Sequence, residues 1–311
     1  MCGIAGVIYR NDGGAHAVGR DMTRMLQSMK HRGPDSTGYA LYGPPQELVV
    51  MRYKLADAND PRDFDFEQRL EHHKGEVETR LRLLGATIHN VERETGYAYR
   101  VTFDYGGELK KVADVVEDVP HAEVLSLGHS LEIVKDLGDA EQVARQYHLD
   151  DFVGTHAIGH VRMATESDVD ISGAHPYWAY PFSDVAVVHN GQLTNYFHWK
   201  HRLERSGHRF QSECDSEVIA VYIAQKMSEG STLEEAMRES LEELDGVFTY
   251  ICVTDDALGM AKDAMAAKPL VLYEADDIVA LASEEIAIRA IVDHEIDTWD
   301  PYEGEVMVWK R

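Results

Sequence analysis

Cysteine is scarce in this chain. Its 311 residues include three, Cys2, Cys214 and Cys252, far apart and without a CxxC pair. That excludes a disulfide framework and points to a reducing, cytoplasmic setting. Positive charge is short as well: 30 Lys and Arg stand against 55 Asp and Glu, a net charge of -25. Such an acidic balance argues against nucleic acid and anionic membrane as main partners. A soluble acidic surface is expected, with a basic partner subunit as the alternative. No apolar run approaches the ~18 residues of a membrane span. The N-terminus lacks the cationic region and long apolar stretch of a secretory leader. No HxxxH or CxxC spacing links His31, His160, His175 and His189, so structural or pocket-wall roles are expected for them rather than metal ligation. His72 and His73 are adjacent on an expected helix and point in different directions, which makes them a solvated face. Nucleotide-loop, flavin-site and iron–sulfur cysteine patterns are missing too, so no cofactor is expected in this chain.

What is present is an ordinary globular composition, 44% apolar, enough for a sizeable core and one or two domains. Residues 3–9 read as a buried strand and Asn11-Asp12-Gly13-Gly14 as a turn. Val18, Met22, Met25, Leu26 and Met29 recur at helical spacing, and the helix stops at His31-Arg32-Gly33-Pro34. A strand follows at 39–42. Between about 47 and 138 the character changes to strand, charged helix (64–84), strands at 86–91 and 97–105, a short helix (107–119), and a strand or hairpin over 123–134 with Gly128 at its turn. This β-α-β-β-α-β order predicts a ferredoxin-like unit inserted at 47–138.

Beyond a linking helix at 138–147, strands are expected at 155–163 and 185–188. Helices are expected at 215–227 and at 231–244, the latter with a capping box at Ser231 and Glu234. The tail is strand-rich, at 247–253, 258–262, 270–273, 278–282 and 305–309, with a short helix at 283–292. Helices should cover the outer faces of packed sheets.

The opening, Met1-Cys2-Gly3-Ile4-Ala5-Gly6, is chemically suggestive. Removal of Met1 would leave a residue carrying both a thiol and a free α-amino group of near-neutral pKa. The thiolate is the nucleophile, and the amine beside it can relay the proton. On position alone, an incidental cysteine in a strand fits equally well.

Five segments in order carry a resemblance: Cys2-Gly3-Ile4-Ala5-Gly6, His31-Arg32-Gly33-Pro34-Asp35-Ser36, Gly159-His160-Val161-Arg162, His189-Asn190-Gly191 and Asp215-Ser216-Glu217. Together they resemble the class II glutamine amidotransferases, N-terminal-nucleophile hydrolases, over roughly residues 1–45 and 150–300. The stretch from His175-Pro176-Tyr177-Trp178 to His189-Asn190-Gly191 is most similar to the amidotransferase domain of glutamate synthase. The resemblance implies an α+β fold, a four-layer αββα sandwich formed by 1–46 and 139–311.

It also implies roles. Cys2 is the nucleophile. Asn190 and the Gly191 N–H form the oxyanion site, although Asn-Gly in isolation also reads as a tight turn. Arg162 takes the α-carboxylate of glutamine, a task suited to a planar guanidinium. Asp215 takes the α-ammonium, or else it is only a helix N-cap. Arg32 lies near the nucleophile, or else it is a helix C-terminal charge. Met163, Glu166, Cys214 and Ala264 depart from common family residues. Ala264, where a proline is frequent, weakens assignment to the branches making phosphoribosylamine or glucosamine phosphate.

The implied activity is hydrolysis of glutamine to glutamate and ammonia through a Cys2 thioester. The chain stops soon after the hydrolase-like part, so the ammonia acceptor is expected on a separate synthase subunit, glutamate synthase-like or N-methylglutamate synthase-like, bearing FMN and Fe–S. A stand-alone amidase for another γ-glutamyl amide and a non-catalytic regulatory subunit remain alternatives.

Overall fold

The computed structural model describes residues 2–10, 15–58, 60, 62, 64–163 and 171–311. Met1, the expected turn at Asn11-Asp12-Gly13-Gly14, and Glu166 lie outside them. Two antiparallel sheets form the centre. The six-stranded sheet runs β13 (Val271–Glu274), β14 (Ile278–Ala282), β1 (Gly3–Tyr9), β8 (His156–Arg162), β2 (Ser36–Tyr42), β7 (Leu131–Leu137). The five-stranded sheet runs β15 (Val306–Lys310), β12 (Ala257–Lys262), β11 (Gly246–Val253), β10 (Ala186–Leu193), β9 (Tyr177–Trp178).

The sheets face one another, β1 lying against β10, β11 and β12. Strand β1 is buried from Gly3 to Ile8, as a strand covered on both faces must be. Its glycines set the spacing: a Cβ on Gly6 would stand 3.0 Å from Leu281 in its own sheet and 3.2 Å from Leu258 in the other. Helices α1 (Val18–Ser28), α4 (Ala140–Gln146) and α8 (Glu285–Arg289) cover the first sheet; α6 (Asp215–Ser228) and α7 (Leu233–Glu243) cover the second, with α5 (Tyr196–Arg205) beside α6. The result is the expected αββα sandwich. Apolar residues fill the layer between the sheets and, separately, the space under α6 and α7. No helix among the described residues is long and apolar enough to cross a membrane.

A third, four-stranded sheet belongs to the inserted region. It contains β3 (Val49–Lys54), α2 (Phe66–Leu83), β4 (Thr87–Arg93), β5 (Ala98–Asp104), α3 (Leu109–Glu117) and β6 (Glu123–Gly128), in the antiparallel order β4-β5-β3-β6. This is the ferredoxin-like arrangement read from the element order. Its end differs from the reading of 123–134 as one strand or hairpin. Leu131–Leu137 leaves the inserted sheet and pairs with β2 in the six-stranded sheet.

The corner between β6 and β7 has a physical cause. The Asp184 carboxylate accepts the backbone N–H groups of His129 (3.1 Å), Ser130 (2.9 Å) and Leu131 (2.8 Å), so these donors are satisfied without hairpin pairing. Glu132 on β7 then pairs with Arg52 (2.7 Å) and Arg100 (2.8 Å) of the inserted sheet. Burial raises the Glu132 carboxyl, but the two guanidinium groups overcome it and hold it low.

Three further local readings shift. The capping box of α7 is formed by Thr232 and Glu235 rather than Ser231 and Glu234. Helix α5 had no expectation attached. Asn190-Gly191 lies inside β10, paired with Thr249 and Phe248 of β11, and is not a turn.

Candidate active site

The strand order brings distant residues to one end of the sandwich. β1 and β8 are antiparallel, Gly3 opposite Val161, so Cys2 lies beside Arg162 and Met163. The Cys2 thiol sulfur accepts the Met163 N–H at 3.4 Å. From the facing sheet, Asn190 Nδ2 donates to the Cys2 carbonyl at 3.2 Å and to Ser283 Oγ at 3.3 Å. Gly191 follows at φ 138°, where a Cβ would meet the Val247 carbonyl oxygen at 2.1 Å. Only glycine permits this backbone path without moving β11.

Asp215 is the first residue of α6. Cys214 precedes it at the cap position and no side-chain cap bond forms. Instead Asp215 Oδ2 accepts the Leu193 N–H at 2.8 Å, which ties the start of α6 to the end of β10. Arg32 does not act as a helix C-terminal charge: its Nε donates to the Cys2 carbonyl at 3.1 Å and its Nη1 pairs with Glu284 at 2.5 Å.

Cys2, Arg162, Asn190, Gly191 and Asp215 line a single cavity of about 840 Å³. Arg32 stands behind it, on the backbone of Cys2. The cavity wall also holds His160, His175 and His189. Burial pushes His160 down to about 3, with His189 and Arg162 adding to the effect, and drives His175 well below its ordinary value. Burial also lowers His189, against the opposing pull of Asp215. All three are therefore neutral near pH 7.

Their hydrogen bonds order them. His175 Nδ1 accepts the His189 N–H at 3.3 Å, so its proton sits on Nε2, 3.2 Å from Ser216 Oγ. Ser216 Oγ in turn lies 2.8 Å from His189 Nδ1. With the imidazoles neutral, the partly buried fixed charges among the described lining residues are Arg162 and Asp215. Glu213 also lines the cavity, but it is 85% exposed and pairs with Lys200 at 3.1 Å. One cation and one anion around a thiol suit a zwitterionic amino acid carrying an electrophilic side chain.

Sequence reasoning did not single out Ser283, Glu284 or the Met163 N–H. Ser283 and Glu284 act through Ile4, Asn190 and Arg32, contacts that no local pattern announces. Ser216 and Glu217 were visible only as members of a quoted segment. Glu217 Oε atoms accept Gln211 N, Ser212 N and Ser212 Oγ at 2.8, 2.8 and 2.6 Å, shaping the wall that leads to Asp215.

Comparison with known proteins agrees with this geometry. The glutamine amidotransferase domain family matches residues 160–290. The chain is 40% identical, over 100% of both sequences, to a putative glutamine amidotransferase of Methanothermobacter thermautotrophicus. It is 32% identical to the glutamine amidotransferase-like protein GlxB of Rhizobium meliloti, over 99% of this chain and 98% of that one. In fold it resembles the glutamine phosphoribosylpyrophosphate amidotransferase of B. subtilis, with a TM-score of 0.61 at 19% identity, over 99% of this chain and 47% of that one. With full-length relatives in agreement, the chain belongs to the glutamine amidotransferase family, and its sandwich is the fold of the phosphoribosylpyrophosphate amidotransferase.

Proposed function

We propose that the mature chain hydrolyses the side-chain amide of glutamine at Cys2 and supplies ammonia to an acceptor on a separate polypeptide. The observation carrying the first part is the convergence of Cys2, Arg162, Asn190, Gly191 and Asp215 on one cavity. Arg162 binds the α-carboxylate and Asp215 the α-ammonium, which places the amide carbon at the sulfur.

Once Met1 is removed, the Cys2 α-amine takes the thiol proton, and the thiolate adds to the amide carbon. Negative charge develops on the amide oxygen. The Gly191 N–H and Asn190 Nδ2, which exchanges its bond to Ser283 Oγ for the oxyanion, receive it, each such donor contributing on the order of 3 kcal/mol in the transition state. The α-ammonium returns its proton to the amide nitrogen, the C–N bond breaks, and ammonia leaves a γ-glutamyl thioester. Water, deprotonated by the same amine, opens the thioester to glutamate and the free thiol. Arg32 acts from behind by fixing the Cys2 carbonyl.

Mass spectrometry tests this reading directly. The N-terminus should lack Met1, and a glutamine-analogue electrophile should add once, on Cys2. Cys2→Ala should fold and release no ammonia; undiminished release would overturn the assignment.

The second part rests on organisation. The two full-length relatives are matched over 100% and 98% of their own lengths, so chains of this make-up occur without an attached synthase domain. The flavin- and Fe–S-bearing acceptor follows from the glutamate synthase resemblance. Purification with candidate partners tests it: ammonia transfer should require the partner, and complete amide transfer by the lone chain would refute it.

A further inference from the structure

Among the described residues the inserted unit meets the cavity wall through α3 and Val124. The cavity wall from Phe210 to Cys214 is held from two sides. On the inner side Glu217 of α6 takes the N–H groups of Gln211 and Ser212. On the outer side the partner is α3. Glu117, its last residue, accepts from the Gln211 side-chain amide and pairs with Arg209. Gln211 Nε2 also donates to the Val124 carbonyl at 3.2 Å. Asp114, one turn earlier on α3, lies 3.4 Å from Arg209 and accepts the Tyr180 hydroxyl. The Arg209 guanidinium stacks 4.3 Å over the Tyr180 ring.

The placement of Glu117 is costly for the insertion taken alone. It is a carboxylate at the C-terminal end of a helix, where the dipole opposes it, and its side chain is 10% exposed. Burial pushes it up to about 7 despite Arg209. Within the insertion its hydrogen-bond partner is the Val124 N–H at 3.1 Å. Its other partners, Gln211 and Arg209, belong to the cavity wall. The far side of the insertion is anchored to the six-stranded sheet through Glu132 with Arg52 and Arg100, and its exit is clamped by Asp184. Helix α3 is therefore mounted on the sandwich and bears on the wall as a strut.

We propose that the ferredoxin-like insertion sets the affinity of the glutamine pocket, with Glu117 and Asp114 of α3 as positioning residues that hold the Arg209–Cys214 wall in its binding shape. Neither residue lines the cavity or touches the reacting atoms. The proposal rests on the glutaminase reading for the identity of the ligand, but the position of the wall is measurable without it.

The experiment uses the full chain with Glu117→Ala, Asp114→Ala and Glu117→Gln. Amide hydrogen exchange is followed without substrate. Exchange across 209–214 should quicken in both alanine variants while the amides of β1 and β8 keep their wild-type protection. Unchanged exchange in folded Glu117→Ala overturns the proposal whatever the substrate is.

Steady-state assay then separates roles. The alanine variants should raise the KM for glutamine about tenfold, the effect of one lost charge-assisted contact of ~1.4 kcal/mol. Their kcat and the alkylation rate of Cys2 by iodoacetamide should stay at wild-type values. Glu117→Gln keeps an oxygen for Gln211 and Val124 but sets an amide NH2 against Arg209, so it should recover part of the KM. A fall in kcat together with slower alkylation, or no recovery in Glu117→Gln, would mean a general structural role and overturn the proposal. If wild type released no ammonia from glutamine, the functional reading would fail while the exchange result still decided the strut.

Discussion

Asp215→Asn is the sharpest test of the binding site, because the structure separates the structural and functional roles of this side chain. Its Oδ2 accepts the Leu193 N–H at 2.8 Å. Asparagine keeps an oxygen for that bond and removes only the charge. Among the described residues the basic partner of Asp215 is His189, 3.6 Å away, and burial lowers its affinity for a proton. The negative charge is thus available to a substrate ammonium. A hydrogen bond to a charged partner contributes about 1.5–3 kcal/mol. At ~1.4 kcal/mol per decade, kcat/KM for glutamine should fall by roughly 10- to 150-fold. The control is 4-carbamoylbutanoate, which is glutamine without its amino group. Wild type should handle it as poorly as the variant handles glutamine, and Asp215→Asn should cost nothing further with it. The assay is ammonia release for both enzymes on both substrates, with the cycle closed from the four rates. If the variant loses as much on the deaminated compound as on glutamine, Asp215 supports the fold of α6 and does not bind the ammonium.

Two other outcomes follow from local geometry. Gly191→Ala places a Cβ 2.1 Å from the Val247 carbonyl at φ 138°, so urea unfolding should show a loss of about 1–3 kcal/mol together with lost activity; a wild-type midpoint would show that the strand relaxes freely. Glu117, raised from 4.5 to about 7 chiefly by burial, holds its proton in the folded chain over a range where the unfolded chain has released it. Its contribution to stability is therefore full below the unfolded value and is lost as pH rises through about 7. Glu117→Gln should flatten that part of the stability–pH curve, and an unchanged slope would refute the placement.

Much of the site was legible because its residues lie in short segments next to strong strand and helix signals. Cys2 precedes a run of buried small and branched residues, and Asp215 opens a helix whose apolar positions are plain. Elsewhere, local chemistry misled. Asn-Gly is a strong turn signal, yet pairing with β11 carries it through a strand at a φ that β-strands rarely hold. Ser231 with Glu234 and Thr232 with Glu235 satisfy the same capping spacing. The choice falls to the second because it buries Leu233, Ala236, Met237 and Ser240 against the sheet. In α5 the aromatic and basic residues of Tyr196–Arg205 hide the helical period, since its buried set includes Lys200 with Trp199 and Leu203. The β6–β7 corner depends on Asp184, more than fifty positions away, and no pattern within 123–137 could reveal it.

The register of the six-stranded sheet explains why the motif order survives so large an insertion. Strand β2 ends at Tyr42, and Tyr42 lies opposite Leu131 at the start of β7. The chain leaves the sandwich at one point and re-enters beside it, so any compact unit whose ends are close can be placed there without disturbing the pairs Gly3 with Val161 and Ser36 with Arg162. Those pairs hold the Cys2 thiol beside the Arg162 guanidinium, and a slip of one residue in β8 would turn Arg162 to the other face of the sheet. The geometry of the proposed site is thus fixed by strand pairing within the sandwich, while the insertion is held where Arg52 and Arg100 meet Glu132 and where α3 meets Arg209 and Gln211. An insertion there can change the hold on the substrate while leaving the position of the sulfur untouched.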